Sequence, residues 1–170
     1  QGLLQDGYCY FLLSHHHRED MIERSQAMIA ERSVDGLIAV DTPLRHAPQL
    51  PAITVSCPAP HEGITNIVLK ERRAAELAID HLAGLGHKGV AVVKGQSFSS
   101  ETESRWHAIR HAAERAHLLL EPKLVVQLEG EQVGHEPGYF ATQRLLASNA
   151  RFTALFAFND IAAIGAIRAL

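Results

Sequence analysis

The sequence lacks several features that mark whole classes of protein. No apolar run approaches the roughly 18 residues needed to span a membrane, and the N-terminus shows no basic segment followed by an apolar one. We therefore expect neither a membrane span nor an intact signal peptide. The formal net charge is only −3 at pH 7, which gives no long-range attraction to phosphate. If DNA is a partner, another segment must bind it.

Cysteine is also scarce. The two cysteines, Cys9 and Cys57, lie in separate apolar stretches and lack the C-x-x-C spacing of a redox or zinc motif. This pattern suits a reducing compartment, so we expect a cytoplasmic protein in which both thiols are buried.

The sequence does contain a regular alternation of two patterns. Hydrophobic residues make up 46% of the 170 residues, enough for one sizeable core or two modest ones. Short unbroken apolar runs predict strands over 8–13, 36–40, 52–55, 90–94, 124–128 and 153–158. Amphipathic spacing predicts helices over 18–32, 71–82, 101–117, 138–147 and from Asp160 onward. This order predicts an α/β fold with parallel sheets covered by helices on both faces, which binds ligands at the carboxyl ends of its strands.

Proline and glycine interrupt this alternation once. A proline-rich connector occupies 41–51, and further chain breakers follow over 58–63. We interpret this region as a lobe boundary and place 64–69 as the crossing between two lobes. The predicted lobes are 1–69 and 70–170.

Several motifs that suggest catalysis or metal binding occur in the wrong context. Residues 84–89 match G-x-G-x-x-G, but they follow a helix and open a strand, the reverse of a dinucleotide site, and predict a helix cap and turn. The histidines at 15–17 are consecutive, so they point in different directions, which favours a solvated loop over a metal site. Residues 95–99 resemble a nucleophile elbow only loosely, and no carboxylates pair as a glycosidase requires. We therefore predict no enzyme, no cofactor and no metal.

Three polar residues are placed where an open parallel sheet binds ligands. Asp41 and Asn159 each follow directly on a predicted strand, and Arg105 lies in the helix after another. A carboxylate accepts hydroxyl protons, a guanidinium fork donates to two oxygens and an amide does both, so the set suits a sugar or another polyol. Each residue also has a structural alternative: Asn159 could cap the last helix, Asp41 could hold a turn, and Arg105 could be a surface charge. Spacing alone leaves both interpretations open.

Three stretches resemble one known family. Residues 75–95, AELAIDHLAGLGHKGVAVVKG, closely resemble the helix, LGH turn and strand in the effector domain of LacI/GalR transcription regulators. Residues 153–170 are similar to the same family's T-A-hydrophobic-N-D-x-x-A-x-G segment, and residues 34–38 to its V-D-G-hydrophobic strand. Because the motifs occur in the family's order and extend over essentially the whole sequence, the chain is identified as a member of this family.

The resemblance implies a type I periplasmic-binding-protein-like architecture, with two Rossmann-like lobes that close on a small effector, a sugar or a sugar derivative. It further implies a homodimer that binds operator DNA through a helix-turn-helix headpiece absent from this chain, with no membrane partner. Relative to the family fold, we expect the first strand to be missing at the front and both lobes to be incomplete at the end. The main alternative is a periplasmic sugar-binding protein of a transport system, and an α/β enzyme is a weaker third.

The resemblance also assigns roles to individual residues. Arg105 and Asn159 match family residues that contact the effector from the second lobe, and Asp41 falls at a first-lobe strand end that lines the cleft. Ser56, where many members carry an aspartate, completes the predicted effector site. Further departures from the family pattern are Lys70 and Glu71 in place of the usual D-N pair, Ala108 in place of a glycine, and Val133 in place of a stacking aromatic.

Overall fold

The computed structural model describes residues 5–15, 18–32, 34–44, 46–57, 61–130 and 134–170. Parallel strands and helices make up this part of the chain, which confirms the predicted α/β class. They alternate from residue 71 onward, whereas the three strands between residues 37 and 67 follow one another with no helix between them among the described residues. The strands are β1 (Leu37–Val40), β2 (Ala52–Val55), β3 (Thr65–Ile67), β4 (Val90–Gln96), β5 (Val125–Leu128) and β6 (Ala154–Ala157). The helices are α1 (Glu19–Glu31), α2 (Glu71–Gly84), α3 (Glu101–Arg115), α4 (Glu136–Ala147) and α5 (Asp160–Ala169), with a short 3-10 turn at Pro122–Leu124. No helix among these is both long and apolar enough to cross a membrane.

The second half of the chain forms a parallel sheet in the order β5-β4-β6. Its central strand is fully buried, because consecutive side chains point to opposite faces and helices cover both. Val90 and Val92 pack in one core with residues of α2 and α3. Ala91 and Val93 pack in a second core with residues of α4 and α5. This sheet has the two-sided helical cover that the unbroken apolar run predicted.

The first half forms a separate parallel sheet in the order β1-β2-β3. One face is buried, with Thr54 fully inaccessible and Ala39 nearly so. On the other face, Ile38 and Val40 are 61% and 59% exposed, and Ile67 is also exposed. Among the described residues, the first sheet is therefore buried on one face only. The two sheets fall on either side of the predicted lobe boundary at residues 69 and 70, and that division remains a prediction.

The segment 64–69, expected as the crossing between lobes, contains β3, a strand that the sequence pattern did not predict, and its role as the crossing remains a prediction. Thr65–Ile67 pairs in parallel with β2. Asparagine is unfavourable in strands, but Asn66 is held by its side chain: its Oδ1 accepts hydrogen bonds from Thr54 Oγ1 at 2.9 Å and from the Cys57 N–H at 3.2 Å, and its Nδ2 donates to the Cys57 carbonyl at 2.9 Å. The polar network compensates for the missing apolar pattern.

The prediction of a buried strand over 8–13 was wrong. These residues have no regular secondary structure, and Phe11 and Leu12 are 68% and 87% exposed. An apolar run becomes a strand only when another strand satisfies its backbone groups, and no described strand pairs with this one. Cys9 in this segment is exposed, so its expected burial was also wrong, whereas Cys57 is buried as expected, and both are free thiols.

Helices α4 and α5 approach each other closely because two glycines meet at their contact. A Cβ atom on Gly138 would lie 2.4 Å from the carbonyl oxygen of Ala162. A Cβ atom on Gly165 would lie 2.0 Å from the His135 carbonyl oxygen and 2.6 Å from the Tyr139 nitrogen. These obstacles are backbone atoms, which cannot move aside as a side chain can. The final glycine of the N-D-x-x-A-x-G segment is therefore a packing requirement.

We expect Gly165→Ala to destabilise the fold by about 3 kcal/mol, since the added methyl group must push two helix backbones apart. Urea unfolding followed by circular dichroism measures this. Gly84→Ala is the matched control, because Gly84 is helical and a Cβ atom added there would have nothing within 4 Å. The free energy of unfolding of this variant should stay equal to that of the wild type or rise by up to about 1 kcal/mol. If the two variants had the same free energy of unfolding, the contact between α4 and α5 would accommodate an added methyl group without cost.

We expect Asn66→Ala to lower the free energy of unfolding by about 2 kcal/mol, because it leaves the buried Thr54 hydroxyl and the Cys57 backbone groups without their partner. The exposed neighbour Thr65 provides the control, and Thr65→Ala should cost less than about 1 kcal/mol in the same denaturation experiment. A loss no larger than that of the control would mean that β3 does not depend on this network.

Candidate functional site

Two of the predicted site residues lie directly after strands of the first sheet. Asp41 follows β1 and Ser56 follows β2, and both have left-handed backbone conformations, with φ values of 45° and 55°. Their N–H groups extend the strand pairing, since Asp41 donates to the Val55 carbonyl and Ser56 to the Ile67 carbonyl, each at 2.9 Å. This conformation is tolerated better by aspartate than by serine. Both residues are thus held at the carboxyl edge of the first sheet.

Asp41 contacts the second half of the chain. Its Oδ1 accepts a hydrogen bond of 2.6 Å from the Ser100 hydroxyl, and Ser100 immediately precedes α3. This bond spans 59 positions of sequence and crosses the predicted lobe boundary. The carboxyl edge of the first sheet and the start of α3 therefore lie side by side.

The start of α3 is fixed against the end of β4. A Cβ atom on Gly95 would lie 2.7 Å from the Thr102 hydroxyl oxygen, and that hydroxyl donates to the Gln96 carbonyl at 2.8 Å. The buried Lys94 ammonium donates to Glu103 at 2.8 Å, a hydrogen bond that lowers the pKa of the Glu103 carboxyl below its ordinary value. Glycine at 95 thus serves the close approach of strand and helix.

Arg105 follows on α3 and is held by three other groups. Its Nε and Nη2 donate to the two carboxylate oxygens of Glu71 at 3.0 and 2.8 Å, a bidentate pair. Nη2 also donates to Glu101 at 3.0 Å, and Nη1 donates to the Phe158 carbonyl at 2.9 Å. The hydrogen bonds with Glu71 raise the pKa of the Arg105 guanidinium, against the opposing effect of burial. The side chain is only 21% exposed, so the surface-charge alternative is wrong.

Asn159 lies directly after Phe158, whose carbonyl accepts from Arg105. Its Oδ1 accepts a hydrogen bond of 2.8 Å from the Ala162 N–H, which makes Asn159 the N-cap of α5. The structural alternative for this residue is therefore confirmed. The residue is exposed, and its amide nitrogen has no acceptor within the part of the chain that the structure describes. One polar atom caps the helix and the other faces outward.

A continuous series of contacts thus joins three of the four predicted site residues. Asp41 bonds to Ser100, the following Glu101 bonds to Arg105, and Arg105 bonds to the residue before Asn159. Ser56 joins this series through no hydrogen bond among the described residues. Whether the four residues bind an effector remains a prediction.

The two carboxylates that hold Arg105 were not predicted from the sequence. Glu101 is spaced four residues before Arg105 on one helix, a spacing that favours an ion pair and could have revealed it. Glu71 was visible only as a departure from the usual D-N pair, and its contact spans 34 positions. An open depression of about 460 Å³ was also missed, and it lies at the carboxyl ends of β4 and β5 among residues 96–98 and 127–130. Val133 lies outside the described residues.

The histidines give no metal site in the described part. The ring of His15 hydrogen-bonds to the Thr42 hydroxyl at 2.9 Å. His16 and His17 lie outside the described residues. Among the residues that the structure describes, no three histidine, cysteine, aspartate or glutamate side chains are grouped to hold a metal ion.

Comparison with known proteins gives a consistent result at the level of sequence. The family model described as periplasmic binding proteins and sugar binding domain of LacI family matches residues 1–170. The HTH-type transcriptional repressor PurR of Haemophilus influenzae is 28% identical over an alignment of 174 positions, which covers 98% of this chain and 51% of the repressor. The HTH-type transcriptional regulator DegA of Bacillus subtilis is 28% identical over an alignment of 153 positions, which covers 84% of this chain and 44% of the regulator. The chain thus spans about half the length of these relatives.

Solved structures have the same fold. A LacI family transcriptional regulator from Lactobacillus casei with bound glucose has a TM-score of 0.77 at 24% identity, covering 99% of this chain and 65% of that one. A periplasmic binding protein/LacI transcriptional regulator from Alkaliphilus metalliredigens with D-xylulofuranose has a TM-score of 0.76 at 19% identity, covering 98% and 61%. With the family match over all 170 residues, these findings show that the chain belongs to the family of periplasmic binding proteins and sugar-binding domains of LacI-type regulators.

Proposed function

We propose that this chain is the effector-sensing domain of a LacI-type transcriptional regulator, a repressor. It binds a small sugar-like molecule between lobes 1–69 and 70–170 and thereby controls operator binding by a helix-turn-helix headpiece elsewhere in the polypeptide. The observation that supports this best is the series of contacts from Asp41 through Arg105 to Asn159. It runs along the strand ends where parallel α/β sheets bind ligands.

The polar groups at these strand ends suit hydroxyl groups. The Asp41 carboxylate accepts hydrogen bonds, and the outward-facing Asn159 amide nitrogen donates them. Glucose in the Lactobacillus casei structure and D-xylulofuranose in the Alkaliphilus metalliredigens structure are ligands of this kind. A polyol that bound here would bridge groups from both sides of the predicted lobe boundary.

Such bridging provides the mechanism. An effector shifts a conformational equilibrium only when it binds one arrangement of the lobes better than another. Contacts from Asp41 on one side and from Arg105 and Asn159 on the other would be made together only when the lobes are closed. In a homodimer, this difference would be transmitted to the paired headpieces and change their affinity for the operator. Two free thiols, one of them buried, suit the cytoplasmic location that this role requires.

The test uses the full-length polypeptide that contains this chain. Its binding to DNA from upstream of its own gene is measured by fluorescence anisotropy while sugars, sugar phosphates and nucleosides are added in turn. We expect at least one to change the DNA affinity about tenfold or more. If none changes it, the regulator function is wrong. If the polypeptide carries an export signal and binds a sugar but no DNA, it is instead the binding protein of a transport system.

Substitutions at Asn159 separate helix capping from effector binding. Asn159→Asp keeps an acceptor for the Ala162 N–H and should leave the free energy of unfolding within about 0.5 kcal/mol, whereas Asn159→Ala should lose about 1 kcal/mol. Both substitutions remove the amide donor, so both should lower the affinity for the active effector about tenfold or more, as measured by calorimetric titration. Asn149→Asp, an exposed position, controls for the added charge. Unchanged effector affinity in Asn159→Asp would limit this residue to the capping role.

A further inference from the structure

The charges around Arg105 restrict which effector the proposed site can take. We infer that the site selects an uncharged effector and rejects phosphorylated or carboxylate-bearing ones, because Glu71 and Glu101 already hold the guanidinium that would bind an anion. This inference rests on the proposed function of the same site. It specifies the chemical class of the ligand.

Few donors remain free on Arg105. A guanidinium has five N–H groups. Four donate to protein oxygens: two to Glu71, one to Glu101 and one to the Phe158 carbonyl. A phosphate or carboxylate is recognised by two parallel N–H groups, and within the described part of the chain only one N–H group of Arg105 remains without an acceptor. An anion would therefore have to displace Glu71, Glu101 or the Phe158 carbonyl from one N–H group, whereas a single hydroxyl needs only the remaining donor.

The local charge is also negative. Around the guanidinium, Glu71 and Glu101 supply two negative charges against the single positive charge of Arg105, so the sum is −1. The side chains of Glu71 and Glu101 are only 16% and 31% exposed, which reduces the screening of their charges by solvent. An incoming anion would be repelled by these carboxylates.

Nearby positive groups are already compensated. Lys94 pairs with Glu103 at 2.8 Å and adds no net charge. The N-terminus of α5 carries the positive end of a helix dipole, but Asn159 caps it and Asp160 occupies its first turn. Neither group offsets the excess carboxylate beside Arg105.

Glu71 makes this a property of the particular chain. It stands where the family pattern has the asparagine of its D-N pair, and it supplies both oxygens of the bidentate contact. An amide there could offer Arg105 one neutral oxygen in place of two charged ones. Glu71 thus neutralises the Arg105 guanidinium within the protein.

Inorganic phosphate is the probe, because it tests the anion site before any effector is identified. Thermal unfolding of the chain is measured in zero to about 50 mM phosphate, with chloride used to keep the ionic strength constant. The wild-type Tm should not respond. Glu71→Gln/Glu101→Gln removes the two negative charges that neutralise the guanidinium, and its Tm should rise by about 2 °C or more in a saturable manner. Adding Arg105→Gln should abolish that rise.

The control and the contrary outcomes are defined by the same measurement. Glu62→Gln/Glu114→Gln makes the same change in net charge at two exposed positions and should show no saturable response. The inference would be overturned if phosphate raised the Tm of the wild-type protein and Arg105→Gln removed that rise. It would also be overturned if the double variant folded and its Tm did not change with phosphate. Circular dichroism verifies folding. If the double variant does not fold, Glu71→Gln alone replaces it, since glutamine retains a neutral acceptor for Arg105. The absence of a Tm response to phosphate in that single variant also overturns the inference.

The DNA-binding experiment distinguishes this failure from failure of the proposed function. Each sugar is compared with its phosphorylated form, and glucose with glucose 6-phosphate is one such pair. The phosphorylated member of each pair should change the DNA affinity of the wild-type protein at least about tenfold less than the uncharged member. A sugar phosphate that is the strongest effector contradicts the charge selection but leaves the regulator function intact. The absence of any response, neutral or charged, contradicts the regulator function itself.

Discussion

Burial of β4 on both faces is the constraint on which the second half of the molecule depends. Val90 to Val93 are inaccessible because α2 and α3 pack on one side and α4 and α5 on the other. A strand enclosed in this way must have neighbours on both edges, and β5 and β6 provide them in parallel. Parallel pairing then brings the carboxyl ends of all three strands to one edge. The polar contacts of Arg105 and Asn159 lie at that edge because the apolar strand is anchored beneath it.

The predictable part of the fold was the part determined by local pattern. The strand at 90–94 and the helices at 71–82 and 101–117 were predicted within a few residues of their observed bounds, because apolar periodicity records burial directly. The segment 8–13 has the same apolar pattern but no paired strand beside it, so composition alone gave the wrong prediction. The strand Thr65–Ile67 has a polar centre, and only the tertiary contacts of Asn66 reveal why it pairs.

The candidate site could be predicted in position but not in charge. Strand ends and the helix that follows a strand identified Asp41, Asn159 and Arg105, and the family resemblance added Ser56. The fork of Arg105 was expected to face a ligand, yet it faces Glu71, which lies 34 positions earlier on another helix. Sequence spacing identifies partners within one helix, such as Glu101, but not those that meet only when two helices pack together. The electrostatic character of the site is therefore a tertiary property.

The capping bond of Asn159 has a consequence for the entropy of binding. An exposed asparagine ordinarily samples several rotamers, and a ligand that uses it must immobilise the side chain. Here the bond from the Ala162 N–H to Oδ1 holds one orientation and determines which end of the amide is oxygen. The nitrogen is consequently preorganised before any ligand arrives, and the conformational freedom was already given up when α5 formed. A ligand that accepts a hydrogen bond there loses less of its affinity to ordering.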